Sequence, residues 1–159
     1  MRKINEIIIH CSATRPGWMI KSSIDKQVAE IKRWHVKLNG WSDIGYHYII
    51  GRNGEVRLGR AVERVGAHTR GRNKNSIGIC LIGGYGSAAT DSFEDHFTSK
   101  QWDVLHGLLN KLEDDYGTVG VHGHNEYAAK GCPGFNVQTE IVDIRAPQLT
   151  LWDKLRRSK

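Results

Sequence analysis

The hydrophobic positions of the chain follow two different periods, and segments of each kind alternate along the sequence. Apolar residues recur every three to four positions over residues 24–38 and again over residues 102–116, which predicts two amphipathic helices. Short runs rich in β-branched residues are typical of strands, and they fall at residues 6–10, 46–51, 55–60, 76–82 and 119–122. The alternation predicts an α/β fold with helices packed on a sheet.

One turn signal constrains how the predicted strands pair. The dipeptide Asn53-Gly54 separates two of them, and both residues tolerate the positive φ angles of a tight hairpin. At least one strand pair is therefore antiparallel, and we predict a mixed central sheet of about five or six strands in a single domain over residues 1–159. A last helix is predicted over residues 137–145, followed by a tail, residues 147–159, that is helical or frayed.

Composition and charge narrow the classes of protein that fit this pattern. The chain has 159 residues, 39% of them hydrophobic and 25% charged. A domain of about 150 residues buries about 70% of its unfolded surface, so a self-supporting core is expected. The net charge of +6 is compatible with nucleic acid, an anionic polymer or an anionic surface as partner, with solubility as the alternative. The sequence has no helix-turn-helix pattern or aromatic RNA-binding platform, so nucleic acid is not the expected partner. The first apolar run ends at Ile9 without a cleavage site, so we expect synthesis in a cytoplasm without a signal peptide.

The three cysteines do not indicate a disulfide framework. Their number is odd, and no export signal precedes them. Cys11 and Cys80 fall within predicted strands and are interpreted as small buried residues, although a disulfide between them stays open as an alternative. Cys132 instead falls in a loop, where a thiolate can bind a metal.

Four of the eight histidines lie where predicted strands end or turn into loops: His10, His68, His122 and His124. Cys132 follows eight residues after His124. Catalytic zinc is held by three protein ligands, commonly imidazole nitrogen and thiolate sulfur, and keeps water in the fourth position. The pattern predicts a zinc site with Cys132 and His10, but the spacing does not decide between His122 and His124 as the third ligand.

Five segments, in order from about residue 7 to residue 135, carry a resemblance to a known family. They read IHCSAT at residues 9–14, WH followed by GWSDIGYHYII at residues 34–50, VGAH at 65–68, NSIGICLIGG at 75–84, and GHNE with KGCPG at 123–134. Together they resemble the type 2 N-acetylmuramoyl-L-alanine amidases, in particular the phage lysozyme-type amidases, and the related animal peptidoglycan recognition proteins.

This resemblance implies an activity and a set of site residues. It implies a single catalytic Zn²⁺ bound by His10, His124 and Cys132, and therefore favours His124 over His122. It also implies that Tyr46 and Lys130 assist catalysis beside the metal. The expected reaction is hydrolysis of the amide between the lactyl group of muramic acid and L-alanine of the peptidoglycan stem peptide.

The resemblance further implies how substrate and partners are bound. His68 and Asn75 match positions that line the substrate groove. We expect Arg72, in a basic stretch that also contains Arg70 and Lys74, to lie at the groove rim, because arginine binds carboxylates with two parallel hydrogen bonds. The expected place of action is the bacterial cell wall, reached by a separate route. A monomer is expected, and a phage RNA polymerase is a partner implied by the resemblance alone. The alternative function is a module that binds peptidoglycan without cutting it.

The remaining aromatic side chains are interpreted from their local pattern. His35 lies on the apolar face of the first helix, and His47 points away from Tyr46 on a strand, so both are expected to be structural. Trp41 is expected in the core, whereas Trp18 follows Pro16-Gly17 in a loop and is a candidate for exposure.

Overall fold

A five-stranded mixed sheet organises residues 1–141, the part of the chain that this computed structural model describes. The strands are β1 Glu6–Cys11, β2 Tyr48–Ile50, β3 Val56–Leu58, β4 Ser76–Leu81 and β5 Gly120–Gly123. Their order across the sheet is β3-β2-β4-β1-β5. Only the hairpin pair β2 and β3 is antiparallel within the described residues. The predicted α/β class with a mixed central sheet is thereby confirmed.

The four described helices are α1 Ile24–Arg33, α2 Phe93–His96, α3 Ser99–Tyr116 and α4 Val137–Glu140. Three of them coincide with predicted ones, whereas α2 is not predicted by the sequence and α4 ends at Glu140, before the predicted end of the last helix. The Ser23 side chain caps α1, and Thr98 caps α3 through a capping box with Gln101. A π-helical turn, Trp34–Leu38, continues α1, and 3₁₀ turns occur at Asn73–Asn75 and His124–Glu126. The predicted helical residues 142–145 and the tail 147–159 lie outside the described residues. No helix within residues 1–141 combines the length and apolar composition needed to cross a membrane.

The two central strands are buried on both faces. Every residue of β1 and β4 is buried, which explains why apolar residues follow one another at 7–9 and 79–81 instead of alternating with polar ones. One face, including Cys11, packs against α3. The opposite face, including Cys80, packs against α1. Because the two cysteines lie in different layers of the core and both are free thiols, the Cys11–Cys80 disulfide does not form.

His47 is a structural residue, as its predicted orientation indicates. Its ring is fully buried; Nδ1 accepts a hydrogen bond from the Gly78 backbone N–H at 3.0 Å, and Nε2–H donates to the Arg64 carbonyl at 3.0 Å. This arrangement requires a neutral ring, because a proton on Nδ1 would face the Gly78 N–H. Burial, chiefly, lowers the pKa of His47 to about 4.

We expect His47 to make the protein less stable in mild acid. Between about pH 6.5 and pH 4 the unfolded ring binds a proton and the folded ring does not, so the free energy of unfolding falls as the pH falls. One such group contributes a slope of up to about 1.4 kcal/mol per pH unit. Urea unfolding across this range should give a shallower slope for His47→Asn, whose amide oxygen keeps an acceptor for Gly78. Equal slopes would contradict the assignment.

Candidate metal centre

The pairing of β1 with β5 brings two histidines together. His10 is the fifth residue of β1 and is buried on the face that α1 covers. The register places Ile9 of β1 opposite Gly123, the last residue of β5. His124 directly follows that strand, so its ring lies beside the ring of His10, with 4.6 Å between the ring centroids.

Cys132 returns to the same place from the loop that follows His124. Its Sγ lies 3.8 Å from Nδ1 of His10, and the Cys11 backbone N–H donates to that sulfur at 3.3 Å. The donor atoms of His10, His124 and Cys132 all lie within 4.8 Å of one another. Tetrahedral zinc, with bonds of about 2.1 Å to nitrogen and 2.3 Å to sulfur, separates such donors by roughly 3.6 Å. The type and spacing of these side chains therefore fit a zinc ion.

His122, the rival ligand in the sequence, belongs to a different cluster. Its Nδ1 lies 2.7 Å from a carboxylate oxygen of Glu126, whose other oxygen accepts from the Gly123 backbone N–H. The alternation that would align His122 with His124 stops because β5 ends at Gly123 and a 3₁₀ turn begins. The structure therefore brings His124, and not His122, to His10.

The two histidines of the centre remain neutral at neutral pH. Burial lowers the pKa of His10 well below its usual value, and the neighbouring His68, His124 and Lys130 lower it further. Burial and the Lys130 charge also lower the pKa of His124. Neutral imidazoles keep a nitrogen lone pair available for a metal ion.

Tyr46 lies against the buried side of the centre. Its ring centroid is 5.1 Å from that of His10 and 5.2 Å from that of His35. Burial raises the pKa of Tyr46 well above its usual value, so the hydroxyl keeps its proton and can donate a hydrogen bond to a bound group. His35 is the buried, bonded residue that the helix pattern predicts, because its Nδ1 accepts from the Gly45 backbone N–H at 2.9 Å.

Arg60 is a buried charged residue near the centre, although arginines are mostly exposed in proteins. Its guanidinium is buried and donates to the backbone carbonyls of Ile44 at 2.8 Å and Val65 at 2.7 Å. These bonds tie the segment before Tyr46 to the segment that leads to His68. The buried Arg60 side chain therefore stabilises the surroundings of the centre.

A groove of about 490 Å³ opens beside the metal centre. Its lining comes from two segments of the chain: His68, Thr69, Arg70 and Asn73 from one, and His124, Tyr127, Ala128 and Lys130 from the other. Trp41 is also a lining residue and is 37% exposed, which corrects its expected place in the core. Trp18, the expected exposed tryptophan, is half-buried against Trp34 with ring centroids 5.3 Å apart.

The predicted substrate residues occupy different places around this groove. His68 lines it but is only 8% exposed. The Asn75 amide donates to the Lys3 carbonyl near the start of β4, and the asparagine in the groove wall is Asn73. Arg72 lies over the Tyr127 ring, 4.3 Å from its centroid, and 3.8 Å from Glu6. The sequence did not predict three further groove residues, because only the tertiary structure brings them there: Thr69, Asn73 and Tyr127.

Comparisons with known proteins agree with the resemblance in the sequence. Residues 1–135 match the family model described as N-acetylmuramoyl-L-alanine amidase. The endolysin of Escherichia phage T7 is 42% identical over 132 residues, which are 83% of this chain and 82% of that protein. The endolysin of Enterobacteria phage K11 is 39% identical over 137 residues, 86% of this chain and 85% of that protein.

Solved structures show the same fold. The N-acetylmuramoyl-L-alanine amidase LysC from Clostridium intestinale has a TM-score of 0.70 at 26% identity, covering 91% of this chain and 85% of that chain. The bumblebee peptidoglycan recognition protein PGRP-SA has a TM-score of 0.70 at 29% identity, covering 87% of this chain and 81% of that chain.

Removing the thiol should remove the metal. We expect Cys132→Ala to weaken Zn²⁺ binding by more than about 100-fold, because a direct ligand is lost. Removing a residue that only hydrogen-bonds to a ligand typically weakens binding by about 10–100-fold. Metal analysis and competition with a chelator measure the change. Cys80→Ala, which deletes a buried thiol outside the donor set, is the matched control and should retain zinc. Unchanged binding by Cys132→Ala would contradict this site.

Proposed function

This chain belongs to the N-acetylmuramoyl-L-alanine amidase family and is thus an amide hydrolase; we propose that it works with one bound Zn²⁺. Its substrate in this proposal is the amide between the lactyl group of muramic acid and L-alanine of the peptidoglycan stem peptide. The observation that carries the proposal is the convergence of His10, His124 and Cys132 donor atoms within 4.8 Å, beside an open groove.

Two further side chains complete the proposed chemistry. When bound, the ion lowers the pKa of a water ligand to about 7 and polarises the scissile carbonyl. Lys130 is an exposed groove residue two positions before Cys132, and its ammonium stabilises negative charge that develops on the carbonyl oxygen. The protonated Tyr46 hydroxyl has no hydrogen-bond partner within residues 1–141, so it is available to donate to the same oxygen.

The groove has a charge and a shape suited to a stem peptide. Arg70 and Lys130 both line the groove, where their side chains can pair with the free carboxylates of the substrate. Trp41 adds a half-exposed apolar surface at the same groove. These features support peptidoglycan as the ligand, and they favour cleavage over binding alone because the proposed ligand His124 and the proposed catalytic residue Lys130 both line the groove.

The proposed place of action is the bacterial cell wall, where the protein arrives by a separate route after synthesis in the cytoplasm. All five proposed catalytic and metal-binding groups come from one chain, so a monomer is sufficient for the reaction. The phage RNA polymerase partner implied by the resemblance stays a prediction, and salt-dependent pull-down with a purified polymerase tests it.

The bond that is cut distinguishes the proposed activity from its competitors. We expect purified, zinc-loaded protein to release unmodified stem peptides with a free L-alanine amine from isolated peptidoglycan. Mass spectrometry of the soluble products identifies them. Cut glycan strands with intact lactyl amides would contradict the proposal. Protein that sediments with the wall, retains zinc and releases nothing would instead support the binding module.

Lys130 should affect turnover and not metal binding. We expect Lys130→Ala to retain zinc and fold while losing about 10²–10³ in kcat, because a donor to the developing oxyanion is removed. Muropeptide release under saturating substrate measures the loss. Lys100→Ala, an exposed lysine outside this groove, is the control and should keep wild-type turnover. A Lys130→Ala kcat within a few-fold of wild type would show that this lysine has no such role.

A further inference from the structure

A buried hydrogen-bonded chain extends behind the candidate metal ligand His10, away from the donor atom that faces Cys132. We propose that His68 and Thr69 are positioning residues, which fix the ring of His10 so that Nδ1 points at the metal. This inference rests on the proposed zinc-dependent function. It assigns His68 a different role from the direct substrate contact that the family resemblance implies.

The contacts form a continuous series. Nε2 of His10 lies 3.0 Å from Nδ1 of His68 and 3.3 Å from Oγ1 of Thr69. The Thr69 hydroxyl lies 3.2 Å from the same His68 nitrogen. On the far side of the His68 ring, Nε2 lies 3.3 Å from Oγ of Ser76, the first residue of β4.

Only one assignment of hydrogens lets His10 bind a metal through Nδ1. A neutral His10 that offers its Nδ1 lone pair carries its hydrogen on Nε2, which must donate. Nδ1 of His68 then accepts, so the hydrogen of His68 lies on Nε2 and is donated to Ser76. The single Nε2 hydrogen of His10 is shared between Nδ1 of His68 and Oγ1 of Thr69 in a three-centre bond. Metal-bound histidines generally use their second nitrogen this way, and such bonds fix ring orientation and tautomer.

The His68 ring is held too tightly to serve as an adjustable substrate contact. It lies between two glycines: a Cβ at Gly66 would lie 2.6 Å from Cδ2 of His68, and a Cβ at Gly78 would lie 2.6 Å from Cγ. The Asn73 side-chain oxygen accepts from the backbone N–H groups of both His68 and Thr69, each at 2.9 Å. His68 is 8% exposed and Thr69 is 3% exposed.

The burial of both residues leaves their polar atoms committed to the protein interior. Each ring nitrogen of His68 already has a protein partner, and the Thr69 hydroxyl has two. A polar contact from the His68 ring to a ligand in the groove would break one of these bonds, because each ring nitrogen has a single hydrogen or lone pair to offer. The geometry thus favours an effect on substrate that is transmitted through His10.

The test compares Thr69→Val, which removes the hydroxyl at nearly constant volume, with Thr69→Ser, which keeps it. We expect Thr69→Val to weaken Zn²⁺ affinity by about 10–100-fold and Thr69→Ser to restore most of it. Chelator competition measures the affinity, and urea unfolding of the metal-free proteins checks that the fold is intact. Thr139→Val, in α4 on the surface, is the matched control and should bind zinc like the wild type.

A spectroscopic measurement tests the orientation of the ligand directly. The measurement is the visible absorption of Co²⁺ bound in place of zinc. The His68→Asn variant keeps an acceptor close to the Nδ1 position and should show the wild-type spectrum. The His68→Leu variant has no such acceptor, so its spectrum should be shifted or lost. His68→Leu also provides the affinity test if Thr69→Val does not fold. Wild-type zinc affinity and cobalt spectra in both Thr69→Val and His68→Leu would overturn the positioning role while leaving the proposed function intact. Failure of the wild type to bind zinc would overturn both.

Discussion

The parallel pairing of β1 with β4 and β5 is the constraint on which the candidate site depends. Its register places Ile9 opposite Gly123 and His10 opposite Cys80, so His10 points to the α1 face next to the end of β5. Because side chains alternate along a strand, a shift of one residue would turn His10 toward α3 and bring Cys11 to the groove face. The buried isoleucines of β1 and β4 oppose that shift, since both layers of the core are filled.

The sequence predicts the elements well and the tertiary neighbourhood only in part. The periodic segments correspond to α1, α3 and the five strands, because local hydrophobic pattern and capping residues agree there. The choice between His122 and His124 was not available from spacing, because it depends on β5 ending at Gly123. The exposure of Trp41 and the burial of Arg60 could not be predicted for a related reason. Trp41 is exposed because the fold places it at the groove. Arg60 is buried because the fold brings backbone carbonyls to its guanidinium.

The resemblance to known amidases implies residue roles that the hydrophobic pattern alone does not. The structure agrees with it more closely for the metal ligands than for the groove residues. The three proposed metal ligands converge, and Tyr46 and Lys130 lie around them. The positions that the resemblance implies for the groove agree less closely with the structure. Asn75 is tied to Lys3, and Asn73, two residues earlier, holds the backbone of His68 and Thr69. A 3₁₀ turn at Asn73–Asn75 separates these two asparagines, and the sequence contains no clear signal for such a short turn.

The buried histidines share one chemical requirement that connects the stability of the fold to its site. Burial lowers the pKa values of His10, His47 and His68, the latter two to about 4 and about 3. Each ring therefore donates through one nitrogen and accepts, or offers a lone pair, through the other. Protonating His47 disrupts its bond to Gly78, the glycine whose missing Cβ gives the His68 ring its space. Lowering the pH therefore destabilises the sheet at His47, next to the His68 ring that contacts His10. The neutral form of these histidines favours folding, and in His10 it also keeps a lone pair available for a metal ion.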